Sequence, residues 1–333
     1  MKLLRVTVLL ATLAASTSSL AAEPITLNFA HFVPPQTGYG KTFASLAADI
    51  ERQSGGSLKV DLKPGGSFEK VPAKYLGHLQ SGAVDIAMLV PSYTPDVFTG
   101  YALFHLPFQF ATIREAARVH QRMAEQGALP GYDRLKVLAA FTTDSYEIHL
   151  REPFDGLESL RGRRIRAADG LHQAMLGALG VQAIPSSNVT TIASSLAAGE
   201  VDGSLLGFSP ARAFKVIPQA KEHVEAGFGY APLLLAMDRA RYDRLPEAAR
   251  RAIDAASGPA LLDRLIADTE EGASLGRKVA ADLGHRVVEL SADARDQLRA
   301  SLGPAVQDWI TQDAQRKRLI DDAGAIASEL RAK

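Results

Sequence analysis

The apolar positions of this chain recur in two alternating periods. "ITLNFAHF" (25–32) reads as a buried first strand running into a loop. "GKTFASLAADIERQSGG" (40–56) carries apolar residues at helical spacing and closes on Gly55-Gly56, which predicts a glycine-capped helix. "LKVDLKP" (58–64) alternates and reads as a strand. "VPAKYLGHLQSG" reads as a helix ending at Gly82, and "AVDIAMLV" (83–90) as a strand buried on both faces. The pattern then restarts. Strands are expected over "RLKVLAAFTT" (134–143), "YEIHLRE" (146–152) and "GRRIRAA". A helix "GLHQAMLGALG" capped at Gly180 follows, then extended "QAIP" (182–185) and a helix–glycine–strand unit over 189–208. Strand and helix in alternation predict an α/β protein with parallel sheets covered on both sides.

From Pro246 the pattern is almost wholly helical. The run 246–284 is long and amphipathic, and Gly258-Pro259 should kink it. "HRVVELS" (285–291) returns to strand, and two further helices follow. No flexible linker separates the two α/β halves, so their crossovers should be ordered, which suits a hinge. Two stretches match across the halves: "LQSGAVDIAML" and "LAAGEVDGSLL" both leave a helix on glycine and enter a strand through Val-Asp. Asp85 and Asp202 are read as turn or cap residues.

Lys2 and Arg5, the apolar "VTVLLATLAA" and the small residues of "TSSLAAEP" form a secretory signal peptide over 1–22, with the mature chain expected to begin between Ala22 and Pro24. With no cysteine, an exported chain has no disulfides and no lipid anchor at the cleavage site. A soluble periplasmic monomer is expected. Lys+Arg and Asp+Glu are 37 each in 333 residues, which speaks against nucleic acid as a partner. The eight histidines show no metal-ligand spacing, and no nucleophile elbow, phosphate loop or dinucleotide fingerprint is present. Neither a metal nor a cofactor is expected, nor catalysis.

The expected chemistry lies at the strand tips, where open α/β sheets bind ligands. Four arginines fall within Arg161–Arg166, and the strand carrying them must end near Ala168-Asp169-Gly170. Arg166 therefore sits where sheet hands over to helix. His31 and Phe32 follow the first strand, Phe68 the second, and Ser92 and Tyr93 the third. Tyr146 opens the second half, and Phe208 follows "VDGSLL". Facing lobes would bring these eight residues around one cleft.

Several stretches together resemble the solute-binding proteins of tripartite ATP-independent periplasmic (TRAP) transporters, the DctP-like organic-acid receptors. They are "FAHFVPPQTGYGKTFASLAADIERQSGGSLKVDLKPGG", "LQSGAVDIAM", "LPFQF", "LRGRRIR" and "LAAGEVDG", in the family's order, from about Pro24 to at least Ile253. The resemblance implies a type II periplasmic-binding-protein-like fold: two α/β lobes, a hinge, and one long C-terminal helix spanning both. Lobe I is expected over 23–144 plus about 230–270, and lobe II over 145–229 plus about 271–333. It further implies that Arg166 grips a ligand carboxylate as a bidentate fork. Arg161, Arg163 and Arg164 do not match that position and are read as solvated charges. Where many members carry Glu-Asn after "VDG", this chain has Leu205-Leu206, and Tyr146 stands near the usual second arginine. Both departures favour a small or apolar monocarboxylate over a sugar acid. The implied partners are a small organic anion and the membrane subunits of a TRAP transporter. A receptor for an ABC importer and a periplasmic enzyme acting on a small carboxylate are the competing readings.

Overall fold

A computed structural model describes residues 23–332; the expected signal peptide lies outside the described residues. Two sheets form. The first contains β1 (Ile25–Ala30), β2 (Leu58–Lys63), β3 (Ile86–Leu89), β4 (Leu135–Ser145) and a strand from the later chain, β10 (Tyr230–Asp238), in the order β2-β1-β3-β10-β4. The second contains β5 (Glu147–Leu150), β6 (Arg164–Ala167), β7 (Gln182–Pro185), β8 (Gly203–Leu206), β9 (Glu222–Glu225) and β11 (Arg286–Glu289), in the order β11-β9-β5-β8-β6-β7.

The sheets are mixed rather than purely parallel. β10 runs antiparallel to β3 and β4, and β5 antiparallel to β8 and β9. The reason is the crossover. β4 leaves the first sheet and continues as β5 in the second, and the chain returns from β9 into β10. A chain that crosses and comes back beside itself pairs antiparallel. At the crossing, Tyr146 N–H donates to Gly229 O (2.7 Å) and Phe228 N–H to Tyr146 O (2.9 Å). The hydrophobic pattern assigned no element to β9, β10 or the helix Ile113–Glu125. β10, "YAPLLLAMD", is buried along nearly its whole length, and a short all-apolar run does not separate strand from helix.

Gly258-Pro259 breaks the late helix rather than kinking it. Helix Glu247–Ala256 ends before Gly258, whose φ of 89° no helix accommodates, and helix Pro259–Asp282 starts afresh. This second helix packs on helix Gly38–Gln53 and β4 of the first half, and on helix Phe208–Ala213 and β11 of the second. It reaches Phe208 closely because residue 276 is glycine: a Cβ there would lie 2.6 Å from Phe208 O. Helix Ala292–Thr311 packs on helix Gly170–Ala178, and helix Ala314–Arg331 on helix Ile113–Glu125.

The two Val-Asp junctions are one device used twice. Asp85 accepts the N–H of Asn28 on β1 (2.8 Å), and Asp202 that of Arg164 on β6 (2.8 Å). Each also binds an arginine, Arg241 at 2.6 Å and Arg164 at 2.7 Å. They tie neighbouring parallel strands together, which is more than a turn residue does.

Two carboxyls flank the crossover. Asp144 accepts from Ser209 N–H (3.2 Å), and Glu147 from Ala226 N–H (2.6 Å) and Gly227 N–H (3.0 Å). Burial raises Asp144 to about 7 and Glu147 to about 8. Burial lowers His31, His120 and His149 to about 4 and His223 to about 3. The carboxyls are raised on folding, so their contribution is full below about pH 4 and lost as pH rises through their folded values. The histidines are lowered, so theirs is present above about 6.5 and lost on acidification. With His105 and His285 also lowered, the histidines outweigh the two carboxyls until the unfolded imidazoles lose their protons through about pH 6.5; above about pH 7 the carboxyls prevail. The melting temperature should therefore peak between about pH 6.5 and 7 and fall toward about pH 8. Asp144→Asn should flatten the alkaline side. Thermal melts across this range check it, and a melting temperature still rising between about pH 7 and 8 would contradict it.

Candidate ligand-binding site

β6 ends at Ala167, and helix Gly170–Ala178 begins three residues later, capped by Asp169, whose carboxylate accepts the His172 N–H at 2.8 Å. Arg166 is the third residue of this strand and is only 3% exposed. Ser186 O accepts from its Nε (2.9 Å) and Nη2 (2.5 Å), and Leu205 O from its Nη1 (3.2 Å). Nη2 also points at Tyr93 Oη, 3.5 Å away. A guanidinium has five N–H donors. Four are held by neutral oxygens, none by an acid, so a full positive charge is buried with carbonyl and hydroxyl partners alone. Such a group is costly without an anion.

Tyr93 also walls a small cavity of about 70 Å³ between the two sheets. Phe32, Val33, Met88 and Val90 line it from the first half, and Val189, Leu206, Ala213 and Phe214 from the second. Phe32 stacks on Phe214 across the cleft, with ring centroids 6.3 Å apart. The polar lining comes from Thr37, Tyr39, Tyr93, Thr143, Tyr146, Ser209, Arg212 and Asp268. Burial pushes the Tyr146 hydroxyl well above its ordinary value, so it stays protonated and can donate.

The eight residues expected at the cleft divide. Phe32, Tyr93 and Tyr146 line the cavity, and Arg166 lies behind Tyr93. Ser92 faces a second, outer cleft that shares Tyr93 as its wall. His31 is wholly buried between Phe29 and Phe43, and Phe208 lies under Arg277 and against His149. Phe68 is 39% exposed and packs on His78. None of these last three lines the cavity. Arg163 and Arg164 are not free surface charges. Arg163 binds the carbonyls of Ser159, Glu152 and Pro153, and Arg164 binds Asp202 and Gly199 O. Both brace the strand that carries Arg166.

Sequence reasoning missed Tyr39, Arg212 and Asp268. Tyr39 stands in the glycine-bearing turn that opens helix Gly38–Gln53, and Asp268 lies four residues before Gly272 on helix Pro259–Asp282, where helices approach. Arg212 follows Phe208 by one turn of a short helix, and no motif marks it. The histidine spacing also hid a cluster. His105, Asp169 and His172 place potential ligand atoms within 4.8 Å of one another. They are hydrogen-bonded: His105 Nδ1–H donates to Asp169 (2.8 Å) and His172 Nε2–H to Phe228 O (3.0 Å). The Asp169 carboxyl is held well below its ordinary range, against the cost of burial, by the two imidazoles. The Tyr146 ring packs edge-on against both, at 5.2 and 4.5 Å, so the cluster supports the cavity wall.

Among the described residues no helix is long and apolar enough to cross a membrane. The sequence matches the family model of the bacterial extracellular solute-binding proteins, family 7, over residues 29–313. The C4-dicarboxylate-binding periplasmic protein DctP of Rhodobacter capsulatus is 26% identical over 242 residues, which are 71% of each chain. A marine-metagenome TRAP solute-binding protein specific for aromatic acid ligands, solved with 3-hydroxybenzoate, superposes with a TM-score of 0.85 at 25% identity, covering 92% of this chain and 99% of that one. A TRAP solute-binding protein from Rhodoferax ferrireducens, solved with copurified benzoate, gives 0.82 at 24% identity, covering 92% and 98%. With two sheets, a double crossover and a helix laid across both, the chain belongs to the bacterial extracellular solute-binding proteins of family 7, the binding proteins of TRAP transporters.

Proposed function

We propose that this chain is the periplasmic receptor that captures an apolar, aromatic-type monocarboxylate between its lobes and delivers it to the membrane subunits of a TRAP transporter, without altering it. The observation that carries the reading is Arg166: a buried guanidinium with no acidic partner, beside a cavity whose lining is mainly apolar. A carboxylate supplies the missing negative charge, and the remaining Nη1 N–H is the donor left to meet it. Leu206 and Phe214 offer a ring apolar contact and no hydrogen bond. The aromatic-acid receptor from the marine metagenome supports the same ligand class.

In the reading proposed, Arg166, Tyr93 and Tyr146 hold the carboxylate while Phe32 and Phe214 close over the ring. The lobes divide at Tyr146 and Gly229, and helix Pro259–Asp282 guides their closure. Calorimetric titration with benzoate and with benzamide tests the charge requirement. The acid should bind and the neutral amide should not, since the amide leaves Arg166 unpaired. Small-angle scattering should show the radius of gyration falling when the acid is added. An unchanged radius, or equal binding of both compounds, would defeat the proposal.

A further inference from the structure

The same cavity carries a second polar group, on elements other than the Arg166 strand. Arg212 lines it from helix Phe208–Ala213, and Asp268 from helix Pro259–Asp282. The Arg212 Nε is buried and has no hydrogen-bond partner among the described residues. Asp268 binds Thr42 Oγ1 through Oδ2 (2.7 Å), while Oδ1 lies against Gly38, so near that a Cβ there would be 2.8 Å away. A charged donor without a partner thus shares the cavity with a carboxylate that has an oxygen to spare, and both belong to no motif that explains them.

The charges select among ligands. Arg212 and Asp268 offset each other in the lining, and Arg166 behind Tyr93 leaves one positive charge without an acid. A monoanion neutralises it. A dianion would leave an excess negative charge in a water-poor cavity, with its second carboxylate facing Asp268. A plain hydrocarbon ring would leave the Arg212 Nε–H unmet. A hydroxyl is both acceptor and donor, so it can accept from Arg212 and donate to Asp268 at once. We infer that Arg212 and Asp268 form a subsite for a hydroxyl group on the ligand, so that the preferred ligand class is a hydroxylated aromatic monocarboxylate. The inference rests on the proposed capture of a carboxylate by Arg166.

The closing experiment is a titration series: benzoate, the three hydroxybenzoates, and benzene-1,3-dicarboxylate, each with the parent protein, Arg212→Gln and Asp268→Asn. A hydrogen bond to a charged group is worth roughly tenfold to a hundredfold in affinity. At least one hydroxybenzoate should bind the parent tighter than benzoate by about that factor, and the dicarboxylate should bind weaker than both. Arg212→Gln should remove the hydroxyl preference, so that benzoate and the hydroxybenzoates bind alike, and Asp268→Asn should reduce it and relieve the dicarboxylate's penalty. Thermal melts keep misfolding apart from binding, and the parent's own preference needs no variant. If benzoate binds and Arg166→Ala abolishes it, but no hydroxyl isomer gains or the dicarboxylate binds best, this inference alone fails. If none of the acids binds, or Arg166→Ala binds like the parent, the carboxylate reading fails and this one with it.

Discussion

Arg166→Ala should lose about 30-fold to several-thousand-fold in affinity for a carboxylate ligand. The magnitude follows from burial. Arg166 is 3% exposed and has only neutral oxygens as partners, so a carboxylate in the cavity would be paired in a place where water is scarce. Truncating one member of such a pair costs about 2–5 kcal/mol, much of it from the charge left unpaired. Arg166→Lys should also bind poorly. An ammonium keeps the charge but cannot reach Ser186 O, Leu205 O and a carboxylate together, which the planar fork can. Arg161→Ala is the control, because that side chain is 69% exposed and pairs only with an exposed glutamate. Calorimetric titration of the three variants measures the ratio. Parent-like binding by the lysine variant, or a larger loss in Arg161→Ala than in Arg166→Ala, would refute the clamp.

Gly229→Ala should cost about 2–4 kcal/mol of stability. Two effects add at this position. Gly229 has a φ of 81°, which a side chain strains by about 1 kcal/mol. A Cβ there would also lie 2.5 Å from the His105 carbonyl carbon and 2.6 Å from Phe104 O, and a backbone cannot swing aside as a flexible side chain can. Overpacking of this kind adds about 1–3 kcal/mol. The position matters for function as well, because Gly229 O accepts the Tyr146 N–H at the crossover. Displacing it would shift a wall of the cavity. Gly55→Ala separates the two effects: φ is 59° but nothing lies within 4 Å, so only the strain of about 1 kcal/mol remains. Denaturant unfolding of both variants gives the comparison. Equal costs at the two positions would show that crowding at the crossover is unimportant.

What the sequence disclosed and what it withheld follow from the range of the interactions. Strand and helix periodicity is local, so the first-half elements, β6 and the helix after it, and the shared Val-Asp junctions could be read directly. Arg166 was legible because a turn trio fixed where its strand ends. The strand directions were not legible, since they depend on the chain crossing between sheets twice, and β10 carries no alternation to mark it. The cavity lining was half legible for a similar reason. Phe32, Tyr93 and Tyr146 lie beside strand ends, whereas Arg212 and Asp268 come from two helices that meet only because Gly272 and Gly276 let them approach. His31 also follows a strand, but its ring turns into the core between Phe29 and Phe43, and no sequence pattern distinguishes the two outcomes.

A small organic anion should travel with the protein, held unchanged between the two lobes. Mass spectrometry of the protein purified natively from its source cells, followed by identification of the compound released on denaturation, reads this out. One carboxylate-bearing compound per chain, with a single net negative charge and an apolar or ring body, is the predicted result, and its occupancy should vanish in Arg166→Ala. A neutral or cationic compound released from the parent, or a carboxylate retained undiminished by Arg166→Ala, would contradict it.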